Sequence, residues 1–300
     1  YSVIVLQTTS AVEGRIFVPQ ISVTIGLFLA VLGLAVLIYF ILHISASIQA
    51  ENVIAAVGKD LDAAIDRLFP ERDERPRGPQ APSDGRPPRS FEHPGEGIPA
   101  RQTGYLQAID LDGLINVACE RDLVLQLKHR PGDFIVEQGE LVEAWPTGRV
   151  DEDVAKAVND GFILGARRLR LQDVEFAINQ LVEIAARALS PGINDPFTAI
   201  ACIDRLGASL ARLAEKEIPP AYHFDDMKRL RVITDVVTFP GAIDAAFNQI
   251  RQSGRSSAAV TIRLLETLAI IATYVRTGEQ RAGLLRQAEM TWRGAREGLP

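Results

Sequence analysis

Cysteine is nearly absent. Cys119 and Cys202 are the two in 300 residues, far apart and without a C-x-x-C partner. They read as reduced core residues rather than as a disulfide or a metal site. Histidine is sparse as well: none of His43, His93, His129 and His223 pairs with another His or a Cys at metal-ligand spacing. No P-loop, G-x-G-x-x-G, G-x-S-x-G or H-E-x-x-H occurs. Net charge is −6, with no basic footprint for nucleic acid. On these absences the chain reads as a non-enzyme, with no catalytic residue, metal or cofactor assigned.

What is present is an apolar run. Ile21 to Leu42 is twenty-two residues without a charge, roughly 33 Å as a helix and about the thickness of a bilayer's hydrocarbon core. Ser22 and Thr24 give it no continuous polar face, so it reads as a transmembrane helix rather than the core helix of a large soluble domain. It is too long for a secretory signal and lacks a basic leader. Residues 1–16, opening on the apolar Tyr1 to Leu6, read as the end of an earlier membrane helix and a connecting loop. Further membrane helices are therefore expected upstream.

Residues 17–69 read as the membrane helix and its cytoplasmic extension. Ile54, Val57, Leu61, Ile65 and Leu68 recur at helical spacing, with Lys59, Asp60, Asp62, Asp66 and Arg67 on the other faces. That stripe wants a partner, either its symmetry mate in a homo-oligomer or the same chain's own domain. Residues 70–100 hold eight prolines and four glycines among Arg, Glu and Asp, and read as a flexible tether. Cations follow the span (Lys59, Arg67, Arg72, Arg75, Arg77) more than they precede it (Arg15), which places the C-terminal part in the cytoplasm.

Residues 101–150 form a different unit. Gly104 to Ile109 alternates like a strand, Leu111 to Arg121 has helical spacing, and Leu123 to Leu127 is a second strand. The Pro131-Gly132-Asp133 turn and the strands after it resemble the turns of small β-barrels such as biotinyl and lipoyl carrier modules, without the hairpin tip that holds a modified lysine. A small barrel-like structural or ligand-sensing unit is expected. Residues 151–300 then read as a helical domain, with acids opening a helix at Asp151, a helix from about Gln172 to Leu189, and later helices over Pro240–Gln252, Ser256–Val275 and Gly278–Arg293. The fold expected is mainly α with a small β module. Asp173 and Glu175, two apart on a helix, are expected to point different ways and to serve capping and solvation. Arg167, Arg168 and Arg170 read as a solvated basic face, or else one that meets anionic lipid or an acidic partner.

The string Ala188-Leu189-Ser190-Pro191-Gly192-Ile193-Asn194-Asp195-Pro196-Phe197-Thr198-Ala199 lies between Gln172-Asp173-Val174-Glu175-Phe176 and Ala246-Phe247-Asn248-Gln249-Ile250-Arg251. With Phe17-Val18-Pro19 and the P-G-D turn, it resembles the bacterial family of predicted membrane proteins called domain of unknown function 2254. The resemblance implies an integral inner-membrane protein, multi-pass at full length, and implies no reaction. Around Ser190 to Pro196 two readings stand. One is a ligand or ion site built from Ser190, Gly192, Asn194, Asp195 and Thr198. The other is a tight helix corner in which Gly192 permits a positive φ and Asp195 caps the helix opened by Pro196. The function expected is a membrane protein, oligomeric, whose cytoplasmic module senses a small molecule or ion or holds a partner; the alternative is a channel or transporter subunit gated by that module.

Overall fold

The structure, a computed structural model, describes residues 10–12, 15–17, 20–47, 50–71, 94–169 and 172–298, with side chains at 21, 24–39 and from 50 onward. Tyr1 to Leu6, most of the Pro/Arg tether and Arg170 lie outside the described residues. Contacts divide the chain into two compact units, Tyr1–Val53 and Ile54–Pro300.

In the first unit, strands β1 (Ser10–Val12) and β2 (Arg15–Phe17) pair antiparallel, Ser10 opposite Phe17, where the sequence reading had a connecting loop. Helix α1 (Gln20–Ser47) runs for 28 residues without an Asp, Glu, Lys or Arg. Its described side chains are largely exposed, Leu27 and Phe28 at 66%. Among the described residues no helix is long and apolar enough to cross a membrane.

The second unit begins within α2 (Ala50–Leu68). Ile54, Val57, Leu61, Ala64 and Ile65 of α2 enter one core with α5 (Val174–Ala188), α6 (Pro196–Glu215), α7 (Phe239–Ser253) and α8 (Ala258–Ala272). Leu61 and Ile65 are at most 1% exposed. Among the described residues the stripe's partner is therefore the same chain. Polar groups reinforce the contact with α6: Ser209 Oγ donates to Asp62 (2.6 Å), Arg212 forks onto both oxygens of Asp66 (2.8 and 2.5 Å), and Lys216 bonds Asp66 and Glu71. At Gly207, a Cβ would lie 2.3 Å from Thr267 Cγ2, so the missing side chain lets α6 and α8 approach closely. Helix α9 (Gly278–Gly298) packs on α7 and α8.

The described strands of the second unit lie in two sheets. One has the order β3 (Glu96–Pro99), β7 (Glu140–Trp145), β5 (Val124–Leu127), β10 (Leu230–Ile233), β9 (Tyr222–Phe224); the other has β6 (Phe134–Ile135), β4 (Gly104–Ile109), β8 (Phe162–Gly165). Among the described residues only β5 and β10 pair in parallel, Leu125 opposite Val232. The expected strands over 104–109 and 123–127 are present. Among the described residues, however, they build two sheets rather than one barrel within 101–150, because β8 and the β9–β10 hairpin come from beyond residue 150. Helices α3 (Leu111–Glu120) and α4 (Glu152–Asp160) cover a second core of Leu106, Leu114, Leu125, Val142 and Val158, each fully buried. Asp110 and Asp151 cap them by accepting from Gly113 N–H and Val154 N–H.

Candidate functional site

The P-G-D turn is pinned to β4 from both sides. Gly132 N–H donates to Leu106 O and Leu106 N–H to Asp133 O, each at 2.8 Å. Gly132 sits at φ +103°, where a side chain is strained, and a Cβ there would stand 2.4 Å from Asp173 Oδ2 and 2.6 Å from Arg168 Nη2. The glycine thus lets the turn lie directly on an ion pair. Arg168 donates from Nε and Nη2 to Asp173 Oδ2 at 2.9 and 2.6 Å, while Asp173 Oδ1 accepts from Phe176 N–H at 2.9 Å and caps α5.

Beside this pair, Arg130 Nη2 donates to Glu175 Oε1 at 2.9 Å and Arg130 Nη1 lies 3.6 Å from Asp235 Oδ2. Burial pushes the Asp173 and Glu175 carboxyls above their usual range, against the pull of Arg168 on the first and Arg130 on the second. The sequence reading separated these two acids by helical geometry. Asp173 is the N-cap, outside the helix proper, so the 3.6-residue period does not fix its direction and both acids reach the same arginine-lined turn. Arg168 is likewise no solvated face: it is spent on Asp173, with its guanidinium 5.8 Å from the Phe176 ring centroid.

Against these groups lies a cavity of about 360 Å³. Its apolar wall includes Leu68, Phe69, Leu111, Pro220, Val236 and Val237, and its polar wall Arg130, Gln172, Asp173, Glu175, His223, Thr234 and Asp235. His223 Nε2 is 3.1 Å from Thr234 Oγ1, and burial lowers the pKa of the ring, which favours neutral imidazole. The α2 stripe residue Leu68 and its neighbour Phe69 close the wall from the end of the helix that follows α1. A mostly apolar cavity with a few convergent polar groups is the usual form of a small-molecule site. Among the described residues no group of three His, Cys, Asp or Glu is placed to hold a metal. Cys119 and Cys202 are free thiols; Cys202 is fully buried, and burial pushes its pKa up to about 12.

The Ser190 to Thr198 string forms the corner between α5 and α6. Ser190 Oγ donates to Arg187 O (2.7 Å), and Ile193 and Asn194 N–H donate to Ser190 O. Asp195 Oδ1 accepts from Phe197 and Thr198 N–H, and Oδ2 accepts from Thr198 Oγ1 at 2.6 Å. These bonds hold the Asp195 carboxyl below its usual pKa, the Thr198 hydroxyl contributing most. The positive φ falls at Asn194 (49°) rather than at Gly192, where a Cβ would meet nothing within 4 Å. None of Ser190, Gly192, Asn194, Asp195 and Thr198 lines the cavity. Arg130, His223 and Asp235 were missed as site residues; the signal was the P-G-D turn and the Q-D-V-E-F string, which the fold joins.

The chain is similar to uncharacterised proteins of Mycobacterium bovis and of Mycobacterium tuberculosis strain H37Rv, at 29% identity over 289 residues, 94% of this chain and 54% of each relative. It thus spans about half the length of the curated relatives it matches. No solved structure matches it. The family model described as "Predicted membrane protein (DUF2254)" matches residues 1–270, nine-tenths of the sequence, and the chain belongs to that family.

Proposed function

We propose that the chain is a membrane-anchored small-molecule sensor. In this reading α1 crosses a bacterial inner membrane, the body from Ile54 onward lies on the cytoplasmic side, and the cavity under the P-G-D turn holds the ligand. The cavity carries the reading: about 360 Å³ of space with an apolar wall and a charged rim that is fixed by the glycine-bearing turn and the α5 cap. Anchoring is supported by the uncharged length of α1 and by the family's description as membrane proteins. Sensing is supported by Leu68 and Phe69. A ligand against them touches the end of α2, whose start follows α1 after two residues, so any difference in ligand affinity between two α2 positions shifts their populations.

Two measurements test the proposal. Sodium carbonate washing of membranes should leave the chain in the pellet; release into the supernatant would refute the span. Thermal melting of the detergent-solubilised chain with fractions of a bacterial small-molecule extract should show a stabilising fraction. Val236→Trp, which fills the cavity, should abolish that response. A stabilising response identical in this variant would refute the cavity as the site.

A further inference from the structure

Resting on the cavity reading above, we infer that the ligand is an organic cation, a protonated amine on an apolar body. Two guanidiniums, Arg130 and Arg168, face three carboxylates, Asp173, Glu175 and Asp235. One negative charge is thus uncompensated at the cavity wall. Both arginines are already engaged. Arg168 donates from Nε and Nη2 to Asp173, and Arg130 is ion-paired with both Glu175 and Asp235.

Acceptors remain. The Arg130 bond to Glu175 goes to Oε1, and no described residue donates to Oε2. His223 Nε2 and Thr234 Oγ1 share a hydrogen bond at 3.1 Å, whose direction follows the imidazole tautomer. Gln172 Oε1 is taken by Ile109 N–H, which leaves its amide as a neutral donor. An anionic ligand would meet a net negative wall whose arginines are occupied. A neutral apolar ligand would bury the second Glu175 oxygen without a partner, at a cost. An ammonium group answers both needs, and its apolar body suits the Leu68, Phe69, Pro220 and Val237 wall.

The test titrates the full chain in detergent by calorimetry with primary amines on indole, phenyl and cyclohexyl bodies, each beside the matching alcohol and carboxylate. Amines should bind at least about tenfold more tightly than their alcohols, with carboxylates weakest, a factor worth about 1.4 kcal/mol. Glu175→Gln should erase the preference for amines over the matching alcohols. If that variant does not fold, Asp235→Asn, at the more exposed carboxylate, should reduce the preference. Carboxylates binding as well as amines, or a preference unchanged in both variants, would overturn the inference while leaving the cavity reading intact. Failure of every head group on every body, with Val236→Trp indistinguishable from wild type, would overturn both.

Discussion

Gly132→Ala isolates the contact on which the site is built. Alanine at φ +103° adopts a conformation that L residues avoid, costing about 1–2 kcal/mol. Its methyl would also sit 2.4 Å from Asp173 Oδ2 and 2.6 Å from Arg168 Nη2, so the Asp173–Arg168 pair must shift. Asp173 is 3% exposed, and complete loss of a buried pair costs about 3–5 kcal/mol. Because the turn can yield somewhat, partial loss is expected, for a total of roughly 2–4 kcal/mol. For a body of this size that lowers Tm by roughly 5–15 °C. Gly192→Ala is the matched control: nothing lies within 4 Å of its Cβ and its φ is not positive, so its melt should move by about a degree or less. Thermal melts of both variants followed by circular dichroism give the comparison. Equal melting of Gly132→Ala and wild type would refute the packing of the turn on the ion pair.

Leu61→Ala should destabilise by about 2–5 kcal/mol through a cavity in the helical core, with the light-scattering mass in detergent unchanged. A fall in mass without loss of stability would restore the symmetry-mate reading of the stripe. Glu175 has a raised folded-state pKa, so its proton is held more tightly folded than unfolded. Its contribution is present at acid pH and is lost as pH rises from about 4.5 through the folded pKa. Wild type should therefore lose stability relative to Glu175→Gln as pH is raised through that window, and a difference independent of pH would count against burial as the cause. At the α5–α6 corner, Asp195→Ser should retain the cap and melt close to wild type, whereas Asp195→Ala should melt clearly lower. Equal melts for the two would show that the cap contributes nothing.

Helix positions were legible because periodicity and capping residues are local signals. Asp151, Asp173 and Asp195 each stand one residue before a helix and cap it. The sheets were less legible. β5 pairs with β10 more than one hundred residues later, and neither strand's alternation specifies that partner. The stripe on α2 was visible, but an apolar face looks the same whether its partner is another copy or α6 of the same chain. For the site, the P-G-D turn and the acids at 173 and 175 stood out separately. Their meeting depends on a long-range approach that no local spacing encodes, and His223 and Asp235 come from the β9–β10 hairpin and the residues just after it, where the sequence suggests no strand. The corner at Ser190 to Thr198 drew attention because so many polar residues crowd it. The structure shows those groups bonding to one another and to the nearby backbone.

Native mass spectrometry of the full chain released from detergent, after incubation with a bacterial small-molecule extract, tests the ligand-binding claim most directly. The account predicts an adduct of small-molecule mass on wild type that is absent from Val236→Trp at equal folding. Adducts identical on the two proteins, or none on either, would contradict it.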